Sequence, residues 1–393
     1  MSPSGPFRIA FITPEYVSES SNGGGLGNYL AKMCRVLIAC GHEPEVFVTS
    51  NNDETVTHDG VVVHRVNPSR WHSRLKPLSC LVSLLPQLRN AAEYTVALLA
   101  EAAALASALR RRDRVVSFDC VQSADYRGVG LFVRRRPGRP HLIRCSCASD
   151  LWGFSRSQWL LERLSIRRGD RVYAPSRFVA GHLSRMLGVP VDVIRPPFLP
   201  DIPPAQELVQ GLPSRYLVHF GQIVPRKGSD FLAEALPIVW SREPSVRMVW
   251  AGTDRQDTWA RCRSRWGDKQ GNVVYLGAIG RSQLYQVLMR SEGSVLPSLV
   301  DNFPNTVIES LMHNRPVIGT RGSSIDELVV DGVNGLLVDG RDIDGLAAAI
   351  LDVWRKKLSW ADDLLVASPV WRELQPQIAV DNLRTLAMSA RRY

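Results

Sequence analysis

The sequence predicts an α/β protein of two domains, each built around an open parallel β-sheet. The chain has 393 residues, which is too long for one ordinary hydrophobic core and suits two domains. Short apolar runs alternate with amphipathic helical stretches in both halves, which is the pattern of βαβ units. A proline-dense stretch from Pro190 to Pro213 separates the halves. Because proline fixes φ and lacks an N–H, this stretch indicates an extended hinge.

The first half opens with a βαβ unit. Residues 8–13 form a short apolar run that is typical of a buried parallel strand. A glycine cluster at 23–27 follows, and residues 30–38 then carry apolar side chains at the spacing of one helix face. Gly41 is placed to end this helix, and the next strand is predicted at 45–49. Further strands are predicted at 61–66, 115–118, 141–144 and 171–174, with an alanine-rich helix from about 91 to 112.

The same alternation restarts after the prolines. Strands are predicted at 216–220, 248–251, 273–276, 294–296, 316–319 and 336–338, and helices at 229–240, 281–290 and 303–313. Ligands of such folds bind at the carboxyl ends of the strands, so two sheets joined by a hinge should face each other across a ligand-binding cleft. We expect domains over residues 1–195 and 196–375, and a C-terminal helix over 376–393 that packs on the first domain.

Composition narrows the class of protein. Hydrophobic residues make up 45% and charged residues 22% of the chain, as in soluble globular proteins. The sequence has no run of about 20 apolar residues, the length of a membrane-spanning helix. Met1–Pro6 lack the features of a signal peptide. The seven cysteines have irregular spacing and suit reduced thiols. These features predict a cytoplasmic protein.

The net charge of +10 lies entirely in the first half of the chain. Residues 1–200 contain 26 Lys and Arg against 16 Asp and Glu, whereas the remainder contains 22 of each. A basic field attracts nucleic acid, anionic lipid or phosphorylated substrates, or it serves solubility alone. Nucleic-acid binding is not expected, because the sequence has no interleaved aromatic residues and no readout motif.

Two basic segments suggest a partner for this charge. Arg70, Arg74 and Lys76 precede the apolar run 78–88, and residues 134–136 form an arginine cluster. A basic surface beside apolar side chains suits peripheral docking on the anionic inner face of the plasma membrane. The alternative is a partly buried hairpin helix with solvated arginines.

The segment from Leu296 to Glu309 carries the clearest chemical pattern. Asp301 and Glu309 are eight residues apart and flank the start of a predicted helix. Pro304 suits the first turn of that helix. The N–H groups of Asn305 and Thr306 would then face outward at the positive end of the helix dipole, which is a site for a diphosphate. By itself the pattern also fits an ordinary helix start followed by a solvated glutamate.

Two further segments agree with a diphosphate site. Arg226 and Lys227 follow Gly221 at the carboxyl end of a predicted strand, where an arginine fork and a lysine point charge suit a diphosphate. A basic surface turn is the alternative. The glycine cluster at 23–27 offers bare backbone to the same group. It is not the GxGxxG pattern, since no glycine stands at residue 30, and this disfavours a nicotinamide cofactor.

These residues make the chain recognisable: it resembles the family 4 glycosyltransferases, which are retaining enzymes of the two-Rossmann-domain GT-B fold. The resemblance covers nearly the whole chain, from Phe11–Glu15 and the glycine loop to Asp331–Val338, and is strongest over 221–228 and 251–338. It implies a hexosyltransferase-like enzyme of carbohydrate biosynthesis. The donor would be a nucleotide-diphosphate sugar, most simply a UDP- or GDP-sugar, and no cofactor or metal would be tightly bound.

The resemblance also implies roles for individual residues. The EX7E element of the family matches Asp301 and Glu309, with the first acid shortened, so that Glu309 would bind the donor ribose and Asp301 the hydroxyls of the transferred sugar. Arg226 and Lys227 match the cations that neutralise the diphosphate leaving group. The remaining donor-side residues are Gly24, Gly25, Gly221, Gly252, Asn302, Phe303, Asn305 and Thr306, and the turn from Gly252 to Asp254 would lie near the nucleotide.

The sequence departs from the family on the acceptor side. The family pattern Arg-x-His corresponds to Arg144-Cys-Ser146 here, so that a serine stands in place of the expected histidine. Either Ser146 or Asp150 replaces it, or the acceptor does, or activity is weakened. Asp119, Gln122 and Asp125 match a loop that faces the cleft in relatives, although an ordinary polar loop is the alternative.

Four functions therefore remain open. The first is a metal-independent, same-face transfer to a glycan, a lipid-linked intermediate or a small molecule. The second is a catalytically weak or inactive sugar-nucleotide binding protein of the same fold. A GT-B isomerase or phosphorylase and a nucleic-acid binder have less support.

Overall fold

A computed structural model of the chain describes residues 5–19, 25–82, 86–146, 155–200 and 208–390, and the side chains of 78–82 and 86–88 are outside that description. The chain divides into two compact units. Unit 1 consists of Met1–Leu199 and Glu373–Tyr393, and unit 2 of Pro200–Arg372. The second domain expected from the sequence, 196–375, begins four residues before unit 2 and ends three residues after it.

Among the described residues, unit 1 holds an eight-stranded sheet. Its strands are β1 Arg8–Thr13, β2 Glu43–Thr49, β3 Glu54–His58, β4 Val61–Val66, β5 Cys120–Ala124, β6 His141–Arg144, β7 Arg171–Ala174 and β8 Asp192–Val193. Their order across the sheet is β3-β4-β2-β1-β5-β6-β7-β8. Neighbouring strands are parallel except for β3 and β4, which are antiparallel. The polar strand β3 thus forms one edge.

The described part of unit 2 holds a six-stranded sheet. Its strands are β9 Leu217–Phe220, β10 Met248–Ala251, β11 Val273–Tyr275, β12 Ser294–Val295, β13 Val317–Thr320 and β14 Gly335–Val338. The order is β11-β10-β9-β12-β13-β14, and the paired strands are parallel. The two parallel-sheet α/β domains predicted from the sequence are confirmed.

Eleven helices are found among the described residues. They are α1 Gly25–Ala39, α2 Ser69–Val82, α3 Pro86–Arg112, α4 Arg156–Ile166, α5 Arg177–Leu187, α6 Ser229–Arg242, α7 Thr258–Ser264, α8 Arg281–Arg290, α9 Asn305–Met312, α10 Ile343–Trp354 and α11 Pro376–Ala390. Because successive strand residues face opposite sides of a sheet, β1 divides its apolar side chains between two cores. Phe11 packs with α1 and α11, and Ile12 packs with α3.

Helix α3 contains a stretch, Arg89–Arg112, that is long and apolar enough to cross a membrane. More than half of this stretch is buried within the fold. On its inner face, Leu105 and Leu109 are at most 2% exposed and pack on β1 and β2. The length and composition of the stretch therefore reflect its place as a core helix of unit 1.

The strand predicted at 115–118 is wrong. The backbone N–H groups of Val115 and Val116 both donate to the carbonyl of Arg112, so this segment continues the last turn of α3. Val115 is 79% exposed, which a central strand residue could not be. The strand beside β1 is β5 instead, five residues further on. The apolar run marked the end of a helix and not a strand.

Candidate functional site

Two glycine turns shape the carboxyl edge of the unit 2 sheet. Gly221 follows β9 with φ 111°, and Gly252 follows β10 with φ 148°. A β-carbon on Gly252 would lie 1.6 Å from the carbonyl oxygen of Gly221, and one on Gly221 would lie 3.3 Å from the Thr306 methyl group. Both positions thus need glycine for close approach as well as for φ. The predicted residues Gly221, Gly252 and Thr306 are neighbours at one edge.

Arg226 and Lys227 belong to a single 3₁₀ turn, Pro225–Lys227, that follows these glycines. Gly228 ends the turn with φ 78°, and a β-carbon there would lie 2.0 Å from the carbonyl oxygen of Pro297. The carbonyl of Arg226 in turn accepts a hydrogen bond of 3.0 Å from the backbone N–H of Leu299. The cationic turn is therefore held against the loop that leads to Asp301.

Lys227 and Asp301 form an ion pair. The carboxylate of Asp301 is largely buried, with 8% of its side chain exposed, and the lysine side chain is 21% exposed. The second carboxylate oxygen accepts the backbone N–H of Asn302 at 2.9 Å, and the Asp301 carbonyl accepts the hydroxyl of Ser324 at 2.7 Å. The acid is thus fixed by its own loop and is not an ordinary solvated side chain.

Arg226 lies beside this pair. Its guanidinium donates to the side-chain oxygen of Gln222. Burial lowers the pKa of Arg226 from its ordinary value, while the nearby Asp301 raises it and Arg255 lowers it further. Three of the four predicted catalytic residues are therefore grouped at one place.

Helix α9 begins at this place. Pro304 is its N-cap residue, one position before the predicted first turn, and no described side chain caps the N-terminus. Val307 and Leu311 bury the inner face of the helix, and Phe303 is 9% exposed just before it. Asn305 is exposed at the first helical position. The helix thus directs uncapped N–H groups to the same edge of the sheet.

Glu309 lies in the second turn of α9 on a partly exposed face. Its carbonyl accepts the ring Nδ1–H of His313 at 2.7 Å. Sequence reasoning placed Glu309 eight residues from Asp301, and the structure puts it on the helix that starts beside Asp301. Its assignment to a ribose remains a prediction.

His219 and Asp254 have structural roles at this edge. The two ring nitrogens of His219 bond to the Val295 carbonyl at 2.8 Å and the Ser229 hydroxyl at 2.9 Å. Burial lowers the pKa of His219 to about 4, so the ring is neutral. The carboxylate of Asp254 accepts backbone N–H groups of residues 256, 258 and 259 at 3.0 to 3.1 Å and so starts α7.

Within the described residues, no three His, Cys, Asp or Glu side chains lie close enough together to hold a metal ion. At this edge the two cations lie beside the buried carboxylate of Asp301. Arg226 and Lys227 therefore offer fixed positive charge to an anion there.

On the unit 1 side, the structure joins two of the predicted acceptor residues. One carboxylate oxygen of Asp125 accepts the backbone N–H of Ser146 at 2.9 Å, its hydroxyl at 3.0 Å and the N–H of Tyr126 at 2.8 Å. Asp125 is 1% exposed. With three donors on one oxygen, this carboxylate fixes the loop after β5 and is poorly placed to act as a base.

The other residues predicted on this side lie in different places. Gly25 is the first residue of α1, whereas Gly24 and Asp150 lie outside the described residues. Gln122 is not in a loop but in the middle of β5. Asp119 accepts the backbone N–H of Arg8 at 2.9 Å and so ties β1 to the chain before β5.

Sequence reasoning missed a buried polar cluster at the carboxyl ends of β5, β6 and β7. Arg144 ends β6, and its guanidinium carbon lies 3.5 Å from the centre of the Tyr29 ring. The hydroxyls of Tyr29 and Tyr173 are 3.3 Å apart, and Tyr173 donates to Gln122 at 2.5 Å. The available signal was an arginine at the carboxyl end of a short, buried strand.

Comparison with known proteins agrees with this organisation. The family described as "Glycosyl transferase 4-like domain" matches residues 24–197, and "Glycosyl transferases group 1" matches residues 214–356. Together the two matched segments take in most of both units.

Two curated mycobacterial relatives are similar over part of the chain. The D-inositol 3-phosphate glycosyltransferase of Mycolicibacterium smegmatis is 30% identical over 174 residues, covering 42% of this chain and 38% of the relative. The GDP-mannose-dependent alpha-(1-6)-phosphatidylinositol monomannoside mannosyltransferase of the same organism is 29% identical over 197 residues, covering 46% and 50%. The chain thus spans from about a third to a half of the length of the curated relatives it matches.

Among solved structures, the Anabaena protein HepE in complex with UDP and glucose superimposes with a TM-score of 0.67 at 17% identity. The match covers 97% of this chain and 100% of HepE. At that identity the likeness speaks for the fold alone. The fold and the two family matches confirm the predicted resemblance, and the chain belongs to the family 4 glycosyltransferases of the GT-B type.

Proposed function

We propose that the protein is a retaining glycosyltransferase that moves a sugar from a UDP- or GDP-sugar to a glycan, a lipid-linked intermediate or a small molecule. The observation that carries this proposal is the contact of Lys227 with Asp301 beside Arg226 and the N-terminus of α9. Cations, a buried acid and outward N–H groups are what a diphosphate joined to a sugar needs. The names of the relatives, one GDP-mannose-dependent and one solved with UDP, support a nucleotide sugar as donor.

The ion pair suggests how the donor is bound. A diphosphate at this edge would compete with Asp301 for the ammonium group of Lys227. Asp301 would then be free to accept hydrogen bonds from hydroxyls of the transferred sugar, while Asn302 and Ser324 keep it in place. Glu309, one turn into α9, is proposed to bind the ribose.

The same groups serve the chemical step. The acceptor hydroxyl attacks the anomeric carbon on the face that the diphosphate leaves, through a transition state with oxocarbenium character. The bond from the sugar to the phosphate breaks, the new glycosidic bond forms, and the departing phosphate takes the acceptor proton. Negative charge grows on the diphosphate, so Arg226, Lys227 and the N–H groups of α9 stabilise the transition state more than the bound substrate.

A catalytically weak sugar-nucleotide binding protein is the second candidate. It is favoured by the hydrogen bonds between Ser146 and Asp125, because neither residue is placed to take over the part of the missing histidine. Measurable sugar transfer, or slow hydrolysis of the donor in the absence of acceptor, would exclude this candidate.

A thermal-shift panel tests the donor site. The ligands are UDP, GDP, ADP, dTDP and their common sugar conjugates, each with and without EDTA. A ligand at about 100 times its dissociation constant adds about 2.7 kcal/mol to the free energy of unfolding. We expect one base to raise the midpoint by several degrees with or without EDTA.

Lys227→Ala is compared with Lys357→Ala in the same panel and in a turnover assay. Lys357 lies in a surface ion pair with Asp352 at 2.7 Å and serves as the matched control. We expect Lys227→Ala to abolish the shift and to lower turnover by about two orders of magnitude or more, as loss of a fixed transition-state charge does. A Lys227→Ala protein that turns over normally would refute the donor-site assignment.

A further inference from the structure

Arg144 is a buried arginine at the carboxyl end of β6. The residue is 5% exposed, and its Nε and Nη1 atoms have no hydrogen-bond partner among the described residues. No described carboxylate pairs with it. The other deeply buried arginines of unit 1 differ in this respect, since Arg139 pairs with Asp113 and Arg195 with Glu373. A buried charge and a buried unpaired donor both cost free energy, so the arrangement calls for an explanation.

Two tyrosines form the described surroundings of Arg144. In register, Arg144 lies between Ala124 of β5 and Tyr173 of β7. The Tyr29 ring covers the guanidinium, and the hydroxyls of Tyr29 and Tyr173 are next to each other. Burial raises the pKa of both tyrosines, so both stay neutral. A neutral ligand would leave the cation uncompensated, whereas an anion would pair with it.

The location of this cluster is that of a ligand site. Arg144 is the last residue of β6, and ligands of open parallel sheets bind at the carboxyl ends of the strands. Its neighbour Tyr29 lies in the second turn of α1, which starts at Gly25. Unit 1 is also the unit with the excess of basic residues, which attracts anions in general.

We propose that Arg144 binds an anionic group, a phosphate or a carboxylate, on the acceptor of the proposed transfer reaction. The guanidinium presents two N–H groups in a planar fork that matches either anion. Arg144 thereby selects acceptors that carry a negative charge. The identification of the bound molecule as an acceptor rests on the proposed function, but the anion site itself can be tested separately.

The obvious alternative is that Arg144 only supports the Tyr29 ring. The two roles predict opposite effects on stability. If the role of Arg144 is to bind an anion, Arg144→Met removes an uncompensated buried charge and leaves the midpoint of thermal unfolding unchanged or raised. If the stacking on Tyr29 is its whole purpose, the midpoint falls.

Binding is measured on the full chain with Arg226→Ala and Lys227→Ala together as the background, so that neither donor cation binds the probes. The probes are inorganic phosphate, glucose 6-phosphate and glucose. We expect phosphate and glucose 6-phosphate to bind and glucose to bind more weakly. Adding Arg144→Met should weaken the binding of phosphate and of glucose 6-phosphate at least tenfold. Arg185→Met, which removes an exposed arginine of the same unit, should leave them unchanged. Arg144→Lys keeps the charge without the fork and should give an intermediate loss, which keeps the test valid if the methionine variant does not fold.

A lipid arm identifies the source of the anion. Co-sedimentation with vesicles of phosphatidylcholine and phosphatidylinositol that is lost in Arg144→Met indicates a lipid headgroup. If Arg144→Met loses glucose 6-phosphate binding and the unaltered chain does not co-sediment with these vesicles, the acceptor is soluble. The proposal is overturned if Arg144→Met binds every anionic probe as tightly as the control does. It is also overturned if Arg144→Met with Arg226 and Lys227 intact loses nucleotide binding, because the anion would then belong to the donor. Absence of nucleotide binding in the unaltered chain would instead refute the proposed function.

Discussion

At the residue scale, Glu45 shows how one buried acid joins three elements of unit 1. It is 8% exposed in the middle of β2. Its carboxylate lies 2.6 Å from Nε2 of His64 on β4 and accepts two guanidinium hydrogen bonds of 2.8 and 2.9 Å from Arg112 at the end of α3. Burial alone would raise the pKa of Glu45, but hydrogen bonds from His64 and Arg112 outweigh it and lower the pKa to about 2.

The depressed pKa of Glu45 makes unit 1 sensitive to acid. A carboxyl with a lowered folded-state pKa stabilises the fold above its ordinary pKa, and that contribution is lost as the pH falls from about 4.5 towards 2. We expect Glu45→Gln to cost about 2 kcal/mol at pH 7 and to flatten the loss of stability below pH 4.5. The measurement is urea unfolding as a function of pH. Glu43→Gln on the same strand removes an exposed pair with Arg8 and should cost less than about 0.5 kcal/mol. Equal effects of the two variants would contradict this account.

At the element scale, the candidate site depends on turns between strands and helices. Strand–helix alternation and the spacing of Asp301 and Glu309 could be predicted because they are periodic or local. The contact of Lys227 with Asp301 could not, because 74 residues separate them. It forms only when β9 and β12 become neighbours in the sheet. The two hydrogen bonds that Ser146 donates to Asp125 could not be predicted for the same reason, since β5 and β6 must first pair.

The strand predicted at 115–118 failed for a different reason. Apolar residues at the end of an amphipathic helix resemble a short strand, and only the hydrogen bonds to Arg112 separate the two. The antiparallel edge strand β3, Glu54–His58, carries mostly exposed side chains and has no apolar alternation to reveal it. Sequence patterns thus reveal elements that bury one apolar face. They miss a strand such as β3, which is defined only by its pairing with β4.

The glycine turns lead to a prediction at this scale. Gly252→Ala places a β-carbon 1.6 Å from the Gly221 oxygen at φ 148°, so the turns after β9 and β10 must separate. We expect a loss of about 2 kcal/mol or more in the free energy of unfolding and loss of nucleotide binding. Unfolding and a thermal-shift assay with the best nucleotide measure the two effects. Gly271→Ala is the control, since nothing lies within 4 Å of the added carbon there. Normal nucleotide binding by Gly252→Ala would show that these turns do not shape the site.

At the scale of the whole molecule, the chain completes its first unit with its last helix. After the 173 residues of unit 2, Pro200–Arg372, the chain returns to unit 1. The backbone N–H of Phe198 donates to the Leu374 carbonyl at 2.7 Å, and Arg195 pairs with Glu373 at 3.1 Å, so the two connecting segments are tied together within unit 1. Helix α11 then packs on α1 through Leu383, which is fully buried. Unit 1 is thus discontinuous in sequence, and its core is complete only when the C-terminal helix is in place.

This arrangement predicts that damage to α11 acts on unit 1 and spares the donor site. Leu383→Asp puts a charge into a core position that is 0% exposed, and we expect it to cost about 4 kcal/mol or more. Ile378→Asp on the same helix is 41% exposed and should cost less than about 1 kcal/mol. The two variants are compared by limited proteolysis with peptides assigned to each unit. Unit 1 of Leu383→Asp should be cleaved faster, while unit 2 stays protected by the nucleotide that its site binds. Cleavage of unit 2 at the same raised rate would mean that the two units unfold as one, and that the last helix supports the donor site as well.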